Sequence, residues 1–208
     1  MNITWFIVRG SGVAAIVLLS ASMVWGLWIS TKTFGRTVKA KGLQWLHESL
    51  GLAALGATII HMVALSVDEF VEFSWWDITI PGIAEWEPLA TSLGVVAFWT
   101  MLLVSVSFYA KRWISQNAWR SIHYLSFGAF LAAMAHGVMA GTDSRTPWMA
   151  AVYAGAGVTV TALTAMRVVA ASRQSSARPN DRPTQPLTES SPMGSGPTIA
   201  VSGRASSK

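Results

Sequence analysis

The hydrophobic residues of this chain are gathered into five long runs, and this distribution limits the possible fold more than any other feature. A helix needs roughly 20 mostly apolar residues to cross a bilayer. Five segments reach that length, near Gly10–Ile29, Leu43–Ser66, Pro88–Ala110, Trp119–Gly141 and Pro147–Val169. Only 12% of the 208 residues are charged, about half the usual share in a soluble domain. We therefore predict an all-α fold, an integral membrane bundle of five transmembrane helices.

The charged residues between these runs predict the orientation of the chain. The first joint is basic and has no acid: Lys32, Arg36, Lys39 and Lys41. The third is also basic, with Lys111, Arg112 and Arg120. The second has six acids and no Lys or Arg: Asp68, Glu69, Glu72, Asp77, Glu85 and Glu87. Because Lys and Arg concentrate on the cytoplasmic side, we expect a multi-pass protein of a bacterial plasma membrane, with its N-terminus outside and its C-terminus in the cytoplasm.

The two ends of the chain are interpreted differently. The first apolar run is followed by its stronger basic cluster, the reverse of a signal peptide, so we expect a true helix. Residues 172–208 are rich in Ser, Pro, Arg and Gly and have too little apolar surface to fold. They are predicted to form a disordered cytoplasmic tail behind a membrane domain of residues 1–171. The basic residues sit at helix ends and in the tail, so no nucleic-acid partner is predicted.

All four histidines lie inside two of the predicted spans. His47 and His61 are 14 residues apart in the second span, and His123 and His136 are 13 apart in the fourth. These spacings separate the members of each pair by about 21 and 19.5 Å along a helix, too far to share a metal ion. Both spans run in the same direction, so His47 is level with His123, and His61 with His136. The sequence thus predicts two sites, one above the other, with two histidines each.

The ligand count favours haem at these sites. Zinc usually takes four protein ligands, or three and a water. The chain has no cysteine, and Glu48 is the only acid inside either helix. A porphyrin supplies four nitrogens, so the protein adds only the axial ligands. We therefore predict two b-type haems, with electron transfer as their use because both axial positions are filled. The alternative is a non-redox bundle, a metal or proton transporter or an assembly factor that uses the same histidines.

One spacing does not fit an ideal helix. Fourteen residues return to within about 40° of the same face, whereas thirteen end about 140° away. Either the fourth helix is distorted near Gly128, or the two haems lie on different flanks of it. Small residues in both spans leave room for a porphyrin, or serve close helix packing. They are Gly51, Ala53, Ala54, Gly56 and Ala57 in the second span, and Gly128, Ala129, Ala132, Ala133 and Gly137 in the fourth.

The two histidine segments resemble a known family. LHESLGLAALGATIIHMVAL and WRSIHYLSFGAFLAAMAHGVMAG are similar to the ferric reductase-like transmembrane domain, which includes ferric reductases, NADPH oxidases and the haem subunit of the periplasmic methionine-sulfoxide reductase system. In that family, two histidines 13 or 14 apart on each of two helices hold two b haems in cross-helix pairs. All four histidines here match that pattern. VRGSGVAAIVLLSASMVWGL also resembles the start of small bacterial members, so the resemblance covers about residues 5–145.

The resemblance implies transmembrane electron transfer, from a flavoprotein or quinol donor to an acceptor at the outer face. The chain also departs from the family. Ferric reductases and NADPH oxidases continue into a flavin and nicotinamide domain, whereas no glycine-rich dinucleotide fingerprint follows the spans here. Many relatives have six spans, and five are counted here. The expected role is therefore that of a membrane haem subunit of a reductase, not of a reductase by itself.

Three further features have two interpretations each. Arg9, near the outer end of the first span, faces either a propionate of the outer haem or lipid headgroups. Arg120, one turn before His123, either meets the inner haem's propionates or sets the topology. The acidic second joint also carries Phe70, Phe73, Trp75, Trp76 and Trp86. It forms an outer-surface helix or lid, or, as we favour, a solvated acidic loop.

Overall fold

Five α-helices make up most of the protein in the computed structural model, which describes residues 3–30, 40–68 and 72–176. The helices are α1 Ile3–Ser30, α2 Ala40–Ser66, α3 Pro88–Tyr109, α4 Gln116–Ala140 and α5 Pro147–Ser176, with a 3₁₀ turn at Ala110–Arg112. Each of the five is long and apolar enough to cross a membrane. The predicted all-helical fold with five spans is confirmed, and the chain is a multi-pass membrane protein.

Several helix ends follow directly from the sequence. Pro88 and Pro147 begin α3 and α5, because proline lacks the N–H that the first turn cannot use. Ser115 caps α4, and its hydroxyl accepts a hydrogen bond from the Ala118 N–H at 3.2 Å. Helix α5 continues to Ser176, so its last residues lie in the range predicted as tail.

Some sequence predictions fall outside the described residues. They concern the remaining tail at 177–208 and the joint residues Lys32, Arg36, Lys39, Glu69 and Phe70.

The helices pack as two antiparallel pairs. Helix α1 lies along α2, α3 lies along α4, and α5 rests on α1. Helices α2 and α4 do not pack closely against each other among the described elements, so the bundle is open between the two histidine-bearing helices. A hydrophobic cluster closes it at mid-height: Leu19, Met23, Leu27, Ala54, Leu55, Met101, Ala129, Phe130 and Val160.

The joint between α2 and α3 folds as a series of turns over one end of the bundle. Two residues of this joint, Ile78 and Ala84, are buried. Asp68 is buried too, and its carboxylate accepts a hydrogen bond from the Thr4 hydroxyl at 2.9 Å. Among the described acids of this joint, Glu72, Glu85 and Glu87 are exposed. The joint is therefore both a cover and an acidic surface, and its described residues 72–87 contain no helix, which was one of the sequence alternatives.

Asp77 is held within this joint by Ser74. The Ser74 hydroxyl donates to its carboxylate at 2.7 Å and the Ser74 N–H at 2.8 Å. These hydrogen bonds stabilise the ionised carboxylate, so they lower the pKa of Asp77, the side-chain bond most.

Candidate functional site

The four histidines meet in two pairs between α2 and α4. The ring centroids of His47 and His123 are 6.1 Å apart, and those of His61 and His136 are 6.3 Å apart. The structure thus brings together the partners expected from two parallel spans. We call His47 and His123 the inner pair and His61 and His136 the outer pair, after the predicted orientation.

The spacing within each pair matches a shared metal ion better than a direct contact. A five-membered ring with bonds of about 1.33 Å places each nitrogen about 1.1 Å from its centroid. Two imidazoles bound at about 2.0–2.1 Å on opposite sides of one metal ion then have centroids about 6.3 Å apart. A linear N–H···N hydrogen bond of about 2.9 Å would bring the centroids to about 5.1 Å. The rings therefore stand too far apart to bond each other, and leave room for one ion between them.

Hydrogen bonds to the backbone orient three of the four rings. The His47 Nδ1 atom lies 3.0 Å from the Ser22 carbonyl oxygen. The His61 Nδ1 atom lies 2.9 Å from the Val8 carbonyl oxygen. The His136 Nδ1 atom lies 2.8 Å from the Ala90 carbonyl oxygen. A carbonyl oxygen only accepts, so Nδ1 carries the proton in each ring. Nε2 is then free to bind a metal with its lone pair. Metal-binding histidines commonly have such a partner, which fixes the tautomer and the ring orientation.

A glycine on the neighbouring helix makes room for each of these three rings. A Cβ atom added at Gly26 would lie 2.8 Å from the His47 ring. One added at Gly94 would lie 2.9 Å from the His136 ring, and one added at Gly12 would lie 3.1 Å from the His61 ring. In every case the glycine follows the carbonyl acceptor by four residues, one helical turn. The same arrangement therefore occurs three times: Val8 and Gly12 with His61, Ser22 and Gly26 with His47, and Ala90 and Gly94 with His136.

Sequence reasoning missed these glycines because it looked for space on α2 and α4. Gly56 and Gly128, which it named, face open space, and Ala54 is packed in the core. A signal was nevertheless present in α1. Gly12 and Gly26 are 14 residues apart, as are His47 and His61 on the adjacent antiparallel helix.

His123 is held differently from the other three histidines. Its ring stacks on Trp119, one turn earlier in α4, with centroids 5.2 Å apart and planes 17° from parallel. The Lys111 ammonium lies 4.5 Å from the centroid of the Trp119 ring. The Trp119 Nε1 atom is buried and has no hydrogen-bond partner among the described residues. The inner pair therefore has different surroundings from the outer pair although its ligands are the same.

Helix α4 is continuous through Gly128 despite the 13-residue spacing of its histidines. His136 lies against Gly94 of α3, whereas His123 stacks on Trp119 of its own helix. That the two haems lie on different flanks of α4 stays a prediction.

A cavity surrounds each pair. The outer cavity has a volume of about 260 Å³ and the inner one about 760 Å³. Leu19 and Met101 line both, so they form the layer that separates the two sites. Phe73, Ile78 and Trp86 of the α2–α3 joint line the outer cavity, so this joint covers the outer site.

The two arginines singled out in the sequence reach the two cavities. Arg9 lines the outer cavity, and its guanidinium forms an ion pair with Asp143, with Nε donating to Oδ2 at 2.9 Å and Nη2 to Oδ1. Sequence reasoning gave Arg9 no protein partner and did not single out Asp143. Arg120 lines the inner cavity beside His47 and His123. That either arginine binds a haem propionate stays a prediction.

Within the described part of the chain, no three or more His, Cys, Asp or Glu side chains are grouped so that they could hold a metal ion. The site is therefore two separate imidazole pairs, which fit the axial positions of a porphyrin iron better than a metal ion bound by protein alone.

Fold and site together define a class: a five-helix membrane protein with two stacked cross-helix histidine pairs. Comparison with known proteins adds no relative, because no family model, curated protein or solved structure matches the chain. The resemblance to the ferric reductase-like family stays a prediction.

Proposed function

We propose that this protein transfers electrons across a bacterial plasma membrane through two b-type haems, one held by His47 and His123 and the other by His61 and His136. The observation that carries the proposal is the spacing of the rings. Both pairs have centroids 6.1–6.3 Å apart, as two imidazoles on one metal ion would. When bound, haem iron supplies reversible one-electron chemistry.

The surroundings of the pairs support haem over a transported metal or proton. Backbone carbonyls hold three of the rings with Nδ1 protonated, which suits a permanent ligand set. A transport site would gain from groups that load and release an ion, and acids are scarce here. Among the described residues, Glu48 is the only carboxylate that lines the inner cavity, and Asp143, paired with Arg9, is the only one that lines the outer cavity.

The chain is proposed to act as the membrane haem subunit of a reductase. Its N-terminus would be outside and its C-terminus cytoplasmic. A flavoprotein or quinol would donate electrons to the inner haem, and an acceptor at the outer face would receive them from the outer haem. The role of this chain's residues is to hold and separate the two sites, with Leu19 and Met101 between them.

The visible spectrum and the haem content of the purified protein test the proposal. We expect a b-type spectrum with two haems per chain. His47→Ala and His123→Ala should each remove the same haem, and His61→Ala and His136→Ala the other. Tyr124→Phe, next to His123, is a matched control that should keep both. A colourless protein with bound zinc or copper would support the non-redox alternative, and loss of the same haem in His47→Ala and His136→Ala would refute the pairing.

A further inference from the structure

The two cavities differ in the net charge of the residues that line them. Among the described residues, the charged ones that line the outer cavity are Arg9 and Asp143, which form an ion pair, so this lining is neutral. The described charged residues that line the inner cavity are Lys111, Arg120, Arg167 and Glu48. These three cations and one carboxylate give a net charge of +2. This excess lies beside one histidine pair only.

The three inner cations have no carboxylate partner in the described part of the chain. The one ion pair found there is that of Arg9 with Asp143, and Glu48 is hydrogen-bonded by Gln44 at 2.8 Å. Three helices or turns contribute the cations: the 3₁₀ turn, α4 and α5. All three side chains are exposed and line one cavity, so an anion bound there would be attracted by all of them.

A hydrogen-bond donor without a partner lies at the same cavity. The Trp119 Nε1–H is buried without a hydrogen-bond partner among the described residues, and Trp119 lines the inner cavity. An indole N–H only donates, so the missing partner is an acceptor such as a carboxylate oxygen. A carboxylate ligand can therefore both pair with the cations and accept a hydrogen bond from the indole.

We propose that Lys111, Arg120, Arg167 and the Trp119 Nε1–H bind the two propionate carboxylates of the inner haem. This inference rests on the proposed function and deepens it. The inner haem then lies with its propionates toward the end of the bundle where α4 begins. The two negative charges of its propionates are neutralised by the net charge of +2 of the inner lining. The propionates of the outer haem lie in a cavity whose lining has no net charge. Since positive surroundings favour the electron-rich ferrous state, the inner haem has the higher reduction potential.

A redox titration of the haem-loaded protein, followed by its visible absorption, tests the inference. We expect two one-electron steps in the wild type. His61→Ala should keep only the step at higher potential. Arg120→Gln and Arg167→Gln should shift that step to lower potential and leave the other unchanged. Trp119→Phe keeps an aromatic ring against His123 but removes the donor, and should give a smaller shift in the same direction.

Arg112→Gln is the matched control. Arg112 follows Lys111 directly, but its guanidinium stacks on Trp113 at 4.0 Å and does not line the cavity. It should shift neither step. If His61→Ala kept the lower step, or if Arg120→Gln and Arg167→Gln shifted no more than Arg112→Gln, the inference would be overturned. A protein that binds two haems but shows these results would still support the proposed function, whereas a protein without haem would refute it.

Haem dimethyl ester, in which both propionates are esterified, identifies the anion. His61→Ala protein is loaded with the ester or with unmodified haem. Arg120→Gln should weaken the binding of haem to this protein but not the binding of the ester, which has no carboxylate for the cation to hold. Equal weakening with both would assign the cations to another anion, a lipid phosphate or a free phosphate, and overturn the inference. Trp119→Phe leaves every cation in place, so that variant tests the site without depending on the folding of the charge variants.

Discussion

At the scale of single residues, the closest approaches in the site are those between histidine rings and glycines of the neighbouring helices. Gly26 and Gly94 leave less than 3 Å for an added Cβ atom before it meets an imidazole. If an imidazole ring is displaced by a few tenths of an ångström, its nitrogen no longer points at an ion about 2 Å away. These glycines therefore matter for ligand geometry and not for backbone freedom, since they lie within regular helices.

Gly26→Ala should remove the inner haem selectively, and Gly94→Ala the outer one. Each variant is expected to hold about one haem per chain where the wild type holds two. Alanine is a better helix former than glycine by about 1 kcal/mol, so the loss cannot be ascribed to a weaker helix. The haem content per chain, measured from the absorption of the purified protein, tests this prediction.

Gly10→Ala is the control for these substitutions. Gly10 lies in the same helix as Gly26, and nothing stands within 4 Å of its added Cβ. It should keep both haems. Equal haem content in Gly10→Ala and Gly26→Ala would mean that the glycine does not determine where the His47 ring lies.

At the scale of helices, the sequence was sufficient for the five helices and for the pairing of the histidines. The apolar runs predicted all five helices, because a span must be continuous and nearly free of charge. The direction of each span, together with spacings of 14 and 13 residues, predicted which histidines meet. The partners supplied by α1 and α3 were not predicted. Backbone carbonyls and glycines have no side-chain signature, and their position depends on how antiparallel neighbours are rotated and staggered.

The contacts of the rings also bear on the angle between the two rings of each pair: neighbouring helices hold His47, His61 and His136, whereas Trp119 of α4 itself stacks on His123. The imidazole planes are 80° apart in the inner pair and 76° apart in the outer pair. If each pair holds a haem iron, near-perpendicular imidazoles would interact with different d orbitals of that iron. The two orbitals would then stay close in energy, which would make the electron paramagnetic resonance spectrum of the ferric state strongly anisotropic.

The oxidised protein should therefore show two low-spin ferric signals, both with large g anisotropy. His61→Ala should lose one of them and keep the other. The measurement is low-temperature electron paramagnetic resonance of the purified, haem-loaded protein. Signals of moderate anisotropy, as given by parallel imidazole planes, would contradict the ring orientation.

At the scale of the whole molecule, the two sites lie one above the other and are separated by a single apolar layer. His47 and His61 are about 21 Å apart along α2, and Leu19 and Met101 lie between the cavities. The sequence predicted this stacking from the spacing of the histidines and the shared direction of their spans. For the α2–α3 joint it named an outer-surface helix or lid but favoured a solvated acidic loop, because the joint carries six acids.

Under the proposed function and orientation, the membrane potential would favour outward electron flow. A bacterial interior is negative, so an electron moving outward gains about 2.3 kcal/mol per 100 mV crossed. The part of this drop that falls between the two sites would act against the higher potential inferred for the inner haem.

The most direct test of transmembrane electron transfer uses haem-loaded protein in sealed vesicles of known orientation. A reductant is confined to the side that carries the C-terminus, and an impermeant acceptor is placed on the other side. The account predicts that wild-type protein and the Arg112→Gln control reduce the acceptor, and that His61→Ala, which keeps the inner haem, does not. Undiminished reduction in His61→Ala would contradict a path through the outer histidine pair.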